Sequence, residues 1–227
     1  SVGKERYLAE NDRFSTTFKL VRFILKFLFQ SSKIYLSFAP PMDLFGNEVD
    51  EQGRSFNSDG REVDIEKYFW LNGQLKEDTQ RNQEYIRRLG NTIVKQYQRY
   101  NVIFSSYLMA FTAYHILRKR FPKADMYGML RLLPEDRVIS YNKFVHTAQR
   151  LREKISELED KGKLLTSHNL QDENIEKVID HGLRNLGLYH DRRPLIREEA
   201  GHITSQDMKL LFFYKNRLEG YGLDKYV

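Results

Sequence analysis

Residues 201–207, Gly-His-Ile-Thr-Ser-Gln-Asp, set His202 five positions ahead of Asp207. That His-x4-Asp spacing can do chemistry: an imidazole takes the proton of an attacking hydroxyl while a carboxylate orients the ring. The neighbouring residues give the stretch other work. Glu198-Glu199-Ala200-Gly201 has turn composition, His202 and Ile203 read as a return strand, and Thr204 or Ser205 reads as the cap of a closing helix. Asp207 then falls in the first turn of that helix, where the dipole favours a carboxylate. No Asn precedes His202 and no Gly-rich anion loop lies beside it, so no catalytic residue is assigned.

Two further patterns invite a site and receive a plainer reading. Ser55-x-Asn57-x-Asp59-Gly60-x5-Glu66 approaches a calcium loop of the EF-hand type. Its first ligand is Ser, Glu62 takes the apolar position after the Gly, and flanking helices are missing, so a Gly-Asp turn is the reading and no metal is assigned. His115 lies within an apolar run and reads as a core or boundary histidine. The chain has no cysteine, which excludes disulfides, thiolate metal sites and a thiol nucleophile. No cofactor is implied.

The elements that position these residues are mostly helices. FSSYLMAFTAYHILRK (104–119) is apolar nearly all round, as a central helix is. KEDTQRNQEYIRRLGNTIVKQYQRY is amphipathic and interrupted at Gly90. Tyr141, Phe144, Ala148, Leu151, Ile155 and Leu158 follow three-and-four spacing up to Gly162 as C-cap, and Ile175, Val178, Ile179, Leu183 and Leu186 repeat it. A hairpin is expected over 188–204 and a closing helix from Met208. Helix, helix and a hairpin carrying Arg192, Arg193 and Arg197 is the order of a winged helix. Its second helix, however, sets Glu173, Glu176 and Asp180 against Lys177 and Arg184, a poor face for phosphate, so no nucleic-acid partner is expected.

Towards the N-terminus, FSTTFKLVRFILKFLF (14–29) carries Lys19, Arg22 and Lys26 on one stripe of an otherwise apolar helix. Two readings stand. The helix packs on a sheet with its cations in water, the commoner arrangement, or it lies in a membrane interface with those three cations as anion contacts. IYLSF (34–38) reads as a strand ended by Ala39-Pro40-Pro41, and five residues alone cannot satisfy their own edges. It reads as the last strand of a sheet whose other strands precede residue 1, and the opening SVGKERYLAEND, without an initiator Met, fits a piece of a longer protein. Residues 46–73 are loop-like, rich in Gly, Asn and Asp. With 37 Lys+Arg against 31 Asp+Glu, the net charge of +6 favours an anionic partner. No run is long and uncharged enough to cross a bilayer.

SSKIYLSFAPPMDL resembles the block downstream of the catalytic motifs in glycerol-3-phosphate acyltransferases of the large bacterial type, which are similar to the mitochondrial and peroxisomal glycerolipid acyltransferases. RNQEYIRRLGNTIV (81–94), NVIFSSYLMAFTAYHIL (101–117) and LLFFYKNRLEGYGL (210–223) continue the resemblance in the family's order. It implies acyl transfer from acyl-CoA or acyl-carrier protein to the 1-hydroxyl of glycerol 3-phosphate, the first step of phospholipid synthesis, by a protein peripheral to the cytoplasmic side of a membrane. The family's Asn-His-x4-Asp motif and its phosphate-gripping Gly-x-x-Ser-Arg segments are not present, and His202 lies on the wrong side of IYLSF to stand in for them. The expected organisation is a helix and strand remnant of the α/β acyltransferase domain (1–45), a linker (46–73) and a mainly α C-terminal domain with a short hairpin (74–227). The resemblance implies that this domain braces the upstream acyltransferase domain and aids docking of membrane or acyl donor. The alternative is a basic helical adaptor or winged-helix module that binds nucleic acid or protein.

Overall fold

The computed structural model describes residues 34–71, 73–75, 77–190 and 192–227, together with Thr17, Val21, Ile24 and Leu25, which are helical and exposed. The candidate cations Lys19, Arg22 and Lys26 lie outside the described residues. The chain divides into two compact units, Ser1–Leu36 and Ser37–Val227. IYLSF does not form the expected strand: residues 34–38 are irregular and exposed, and no described segment pairs with them.

The segment read as a loop contains a small meander built on a seven-residue repeat. Asp43-Leu-Phe-Gly46, Asp50-Glu-Gln-Gly53 and Asn57-Ser-Asp-Gly60 each start with an Asx residue and reach a glycine three positions later. In each, the first side chain accepts the amides two and four residues on, as Asp50 does from Gln52 (3.0 Å) and Arg54 (2.8 Å). Gly46, Gly53 and Gly60 have φ of 83°, 80° and 73°, the left-handed conformation that this turn requires. The three turns set up the antiparallel strands β1 (Glu48–Val49), β2 (Ser55–Phe56) and β3 (Glu62–Val63) in sequential order. A further hairpin, β4 (Trp70–Leu71) with β5 (Gln74–Leu75), leads to the first long helix.

That helix, α1 (Thr79–Tyr100), is capped by Asp78, whose carboxylate accepts the Arg81 amide at 3.0 Å. It runs through Gly90 without the expected break. Tyr85 anchors its first half edge-on against Phe45, which in turn stacks on Tyr68 at 4.4 Å. None of its side chains is buried.

The core sits in the remaining helices. α2 (Ser105–Arg120) is enclosed by α4 (Tyr141–Asp160), α5 (Ile175–Asn185) and α6 (Met208–Lys215), while the short α3 (Met126–Leu130) packs against α6. Leu108, Met109, Phe111, Ile116 and Leu117 of α2 are fully buried with Phe144, Leu151, Ile155, Val178, Ile179 and Leu211 from its neighbours. The approach of α2 to α5 is set by Gly182. A Cβ there would stand 2.6 Å from Met109 Cγ and 2.8 Å from the Ser105 carbonyl oxygen.

Two pairings join elements distant in sequence. β6 (Val102–Ile103), directly after α1, pairs in parallel with β8 (Leu165–Thr166), which follows α4. Strand β7 (Val138–Ile139) pairs antiparallel with β10 (Ile203–Ser205), which also pairs with β9 (Leu195–Arg197), giving the order β7-β10-β9. With α4 and α5 between its first and second strands, this is the topology of a winged helix. The described residues are mainly α, and no described helix is long and apolar enough to cross a membrane.

Candidate functional site

The first sequence candidate dissolves on inspection of its bonds. His202 is exposed in the turn before β10, where its carbonyl accepts the Glu198 amide at 2.8 Å. Asp207, rather than Thr204 or Ser205, caps α6: one of its carboxylate oxygens accepts the amides of Lys209 (2.9 Å) and Leu210 (3.0 Å). Ser205 is instead buried in β10. No hydrogen bond or ion pair joins His202 to Asp207 among the described residues. In the calcium-like stretch, Asn57 spends its side-chain oxygen on the amides of Asp59 and Arg61, both at 3.0 Å, as a turn residue.

A serine–histidine pair not foreseen in the sequence lies at the start of α2. Ser105 Oγ is 2.8 Å from His181 Nδ1, and Asn169 Nδ2 is 2.8 Å from His181 Nε2. Both ring nitrogens are thus engaged, by Ser105 and by Asn169, with donor and acceptor roles set by the tautomer. Ser105 is also 1% exposed, beneath Gly182, so no substrate reaches it. The trio holds α2, α5 and the 168–170 turn together.

His115 is a boundary histidine, as its sequence context implies. Its ring lies on Phe111 with centroids 4.1 Å apart, and Nε2 is 3.5 Å from Glu219 Oε1. That separation is electrostatic proximity rather than a good hydrogen bond. Burial pushes the His115 pKa down, opposed by Glu219 and assisted by the nearby Lys215 ammonium. Lys215 pairs with Glu219 and sits over the rings of Tyr114 and Phe212.

On the winged-helix face, two of the three wing arginines are engaged within the fold. Arg193 donates to the carbonyls of Leu183 and Arg184 at the end of α5. Arg197 lies 3.8 Å over the Tyr141 ring, donates to its hydroxyl at 3.1 Å and stands 3.9 Å from Asp180. The Tyr141 hydroxyl donates to the Glu176 carboxylate; burial, then this bond, push its pKa up to about 12. The acids of α5 therefore occupy a cation that DNA phosphate would need.

A concave surface among the described residues lies where α1 ends. The β6–β8 pairing brings the last turns of α1 and α4 side by side, and a cleft of about 640 Å³ opens between them, lined by Lys95, Arg99, Lys161 and Lys163. A second cleft of about 440 Å³ is lined by Ile93, Val94, Tyr97 and Phe213, and shares Gln98 and Tyr221 with the first as a common wall. The wall is fixed by the Tyr221 hydroxyl, which donates to the Gln98 carbonyl at 2.8 Å. Gly220 meets the Gln98 side chain so closely that a Cβ would collide with it. The positive φ of Gly162 closes α4 in a Schellman motif, with Lys163 N–H donating to the Leu158 carbonyl at 2.9 Å, and turns Lys161 and Lys163 toward the cleft.

Compared with known proteins, the chain matches no family model, no curated protein and no solved structure.

Proposed function

We propose that the chain is the non-catalytic C-terminal part of a glycerolipid O-acyltransferase that transfers an acyl group from acyl-CoA or acyl-carrier protein to the 1-hydroxyl of glycerol 3-phosphate. Its task is to brace an upstream α/β acyltransferase domain, which supplies the histidine, at the cytoplasmic face of a membrane. The observation that carries this reading is the state of the segment bearing the resemblance. Residues 34–38 form no strand among the described residues, with Phe38 84% exposed and Leu44 72% exposed. An exposed apolar segment outside regular structure is suited to adding an edge to a sheet on another domain.

The test combines exchange and turnover. Residues 34–38 should exchange their amides fast in the isolated chain and gain protection when a separately produced acyltransferase domain of this family is added. The chain alone should not acylate glycerol 3-phosphate from a thioester donor. Acylation by the chain alone that His202→Ala abolishes would overturn the reading.

A second reading has its own observation, the β7-β10-β9 sheet behind α4 and α5. It makes the chain a winged-helix module for nucleic acid or protein. Duplex binding that weakens with salt and needs Arg192 would favour it.

A further inference from the structure

We propose that the end of α1 is a membrane-docking face for anionic phospholipid, with Lys95, Arg99, Lys161 and Lys163 on the headgroups and Val94 and Tyr97 in the interface. Among the described residues none of these four cations enters an ion pair. Glu157 of α4 is bound to Lys154 at 2.5 Å and also feels the Lys161 charge. Offsetting the helix dipoles accounts for Arg99 and Lys161, which sit at the ends of α1 and α4. It does not account for Lys95, more than a turn inside α1, or for Lys163, beyond the C-terminal glycine, because the dipole effect fades within one turn. Four cations outside any described ion pair, gathered from two elements, favour negative charge.

The adjoining cleft decides which kind. A small soluble anion needs only the cations, whereas Val94 is 57% and Tyr97 64% exposed beside them. Their cleft shares a wall with the cationic one. Apolar and aromatic groups beside exposed cations match a bilayer interface, where the former enter the acyl boundary and the latter meet headgroups. This face deepens the reading proposed above by naming how the domain meets its membrane. Its test reads lipid binding and not acyl transfer, so either can fail alone.

The full chain should co-sediment with phosphatidylcholine vesicles containing phosphatidylglycerol, weakly with phosphatidylcholine alone, and less as salt rises. At about fivefold per cation near an anionic surface, the variant K95Q/R99Q/K161Q/K163Q should lose at least tenfold in vesicle affinity. The variant K95R/K161R/K163R should retain it, which separates charge from folding. Val94→Ser with Tyr97→Ser should weaken binding to both vesicle types. Full binding by the fourfold Gln variant, or loss confined to K19Q/R22Q/K26Q, would overturn the proposal. So would saturable binding of inorganic phosphate at Lys95 and Lys163 without vesicle binding, or capture of an acidic peptide in place of vesicles.

Discussion

Helices α1 and α2 follow one another in the chain and make opposite use of their apolar residues. In α2, ten of sixteen positions are buried, including polar Ser105 and Thr112. In α1, twenty-two residues long, none is. The difference lies in pattern. Apolar residues all round α2 force it into the centre, whereas α1 concentrates Ile86, Ile93 and Tyr97 on a stripe of seven- and four-residue spacing that only one surface can cover. Tyr85 and Leu89, on another side of α1, are partly covered by the rest of the protein, so the stripe is left to solvent. Stability therefore resides in α2, and α1 is free to serve recognition.

The largest expected effect lies on the α2 side of this comparison. Phe111→Ala removes a fully enclosed ring and should cost about 3–5 kcal/mol. A midpoint of urea unfolding shifted by a trivial amount would mean that α2 is not the centre. Gly182→Ala comes next, at about 1–3 kcal/mol for overpacking, since its Cβ would enter the space of Met109 and the Ser105 carbonyl. A double variant with Met109→Ala should recover part of that loss, because the contact with Cγ is removed while the backbone contact remains.

The GHITSQD stretch supplies a finer test. Asp207→Ala removes the cap of α6 and should cost about 1 kcal/mol, while exposed His202→Ala should stay within about 0.5 kcal/mol. Equal costs for the two would imply a coupling between them that their separate bonds do not provide.

The sequence made this division partly legible. The apolar run of 104–119 and the three-and-four spacings of 141–158 and 175–186 identify α2, α4 and α5, because burial of a helix face needs that period and no long-range information. The meander escaped notice because its strands are two residues long, too short for an alternating pattern; the Asx-x-x-Gly heptad was its readable sign. Gly90 did not break α1, since a single glycine costs a helix only about 1 kcal/mol relative to Ala. The cationic cleft was out of reach. Lys95 and Lys163 meet only through the β6–β8 pair, a contact of two residues on each strand with no periodic signature.

A pH measurement sharpens the contrast at His115, a titratable group of α2 that faces its boundary. Burial depresses the His115 pKa below its ordinary value near 6.5. The unfolded chain then binds the proton more readily than the folded one, so this stability is present above pH of about 6.5 and is lost as pH falls through the folded pKa. Urea unfolding of the native protein compared with His115→Gln should show a smaller acid loss in the variant. Glu219 acts against the shift, so Glu219→Gln should enlarge the acid loss. A reduced loss there would place the carboxylate, rather than burial, in control.

The smallest expected effect belongs to α1. Ile86 is 70% exposed, so replacing it with Ser forfeits almost no burial and should leave stability within about 0.5 kcal/mol, despite the loss of a large aliphatic side chain. Serine has a slightly lower helix propensity than isoleucine's neighbours in the ranking of good formers, but the difference from isoleucine itself is small, so propensity does not reverse the expectation. A loss approaching that of Phe111→Ala would show that the stripe is covered in solution, by a second copy or by another part of this chain. Because self-association makes the unfolding midpoint depend on protein concentration, repeating the measurement across dilutions separates those two: a concentration-dependent cost points to a second copy, and a constant one to the chain itself.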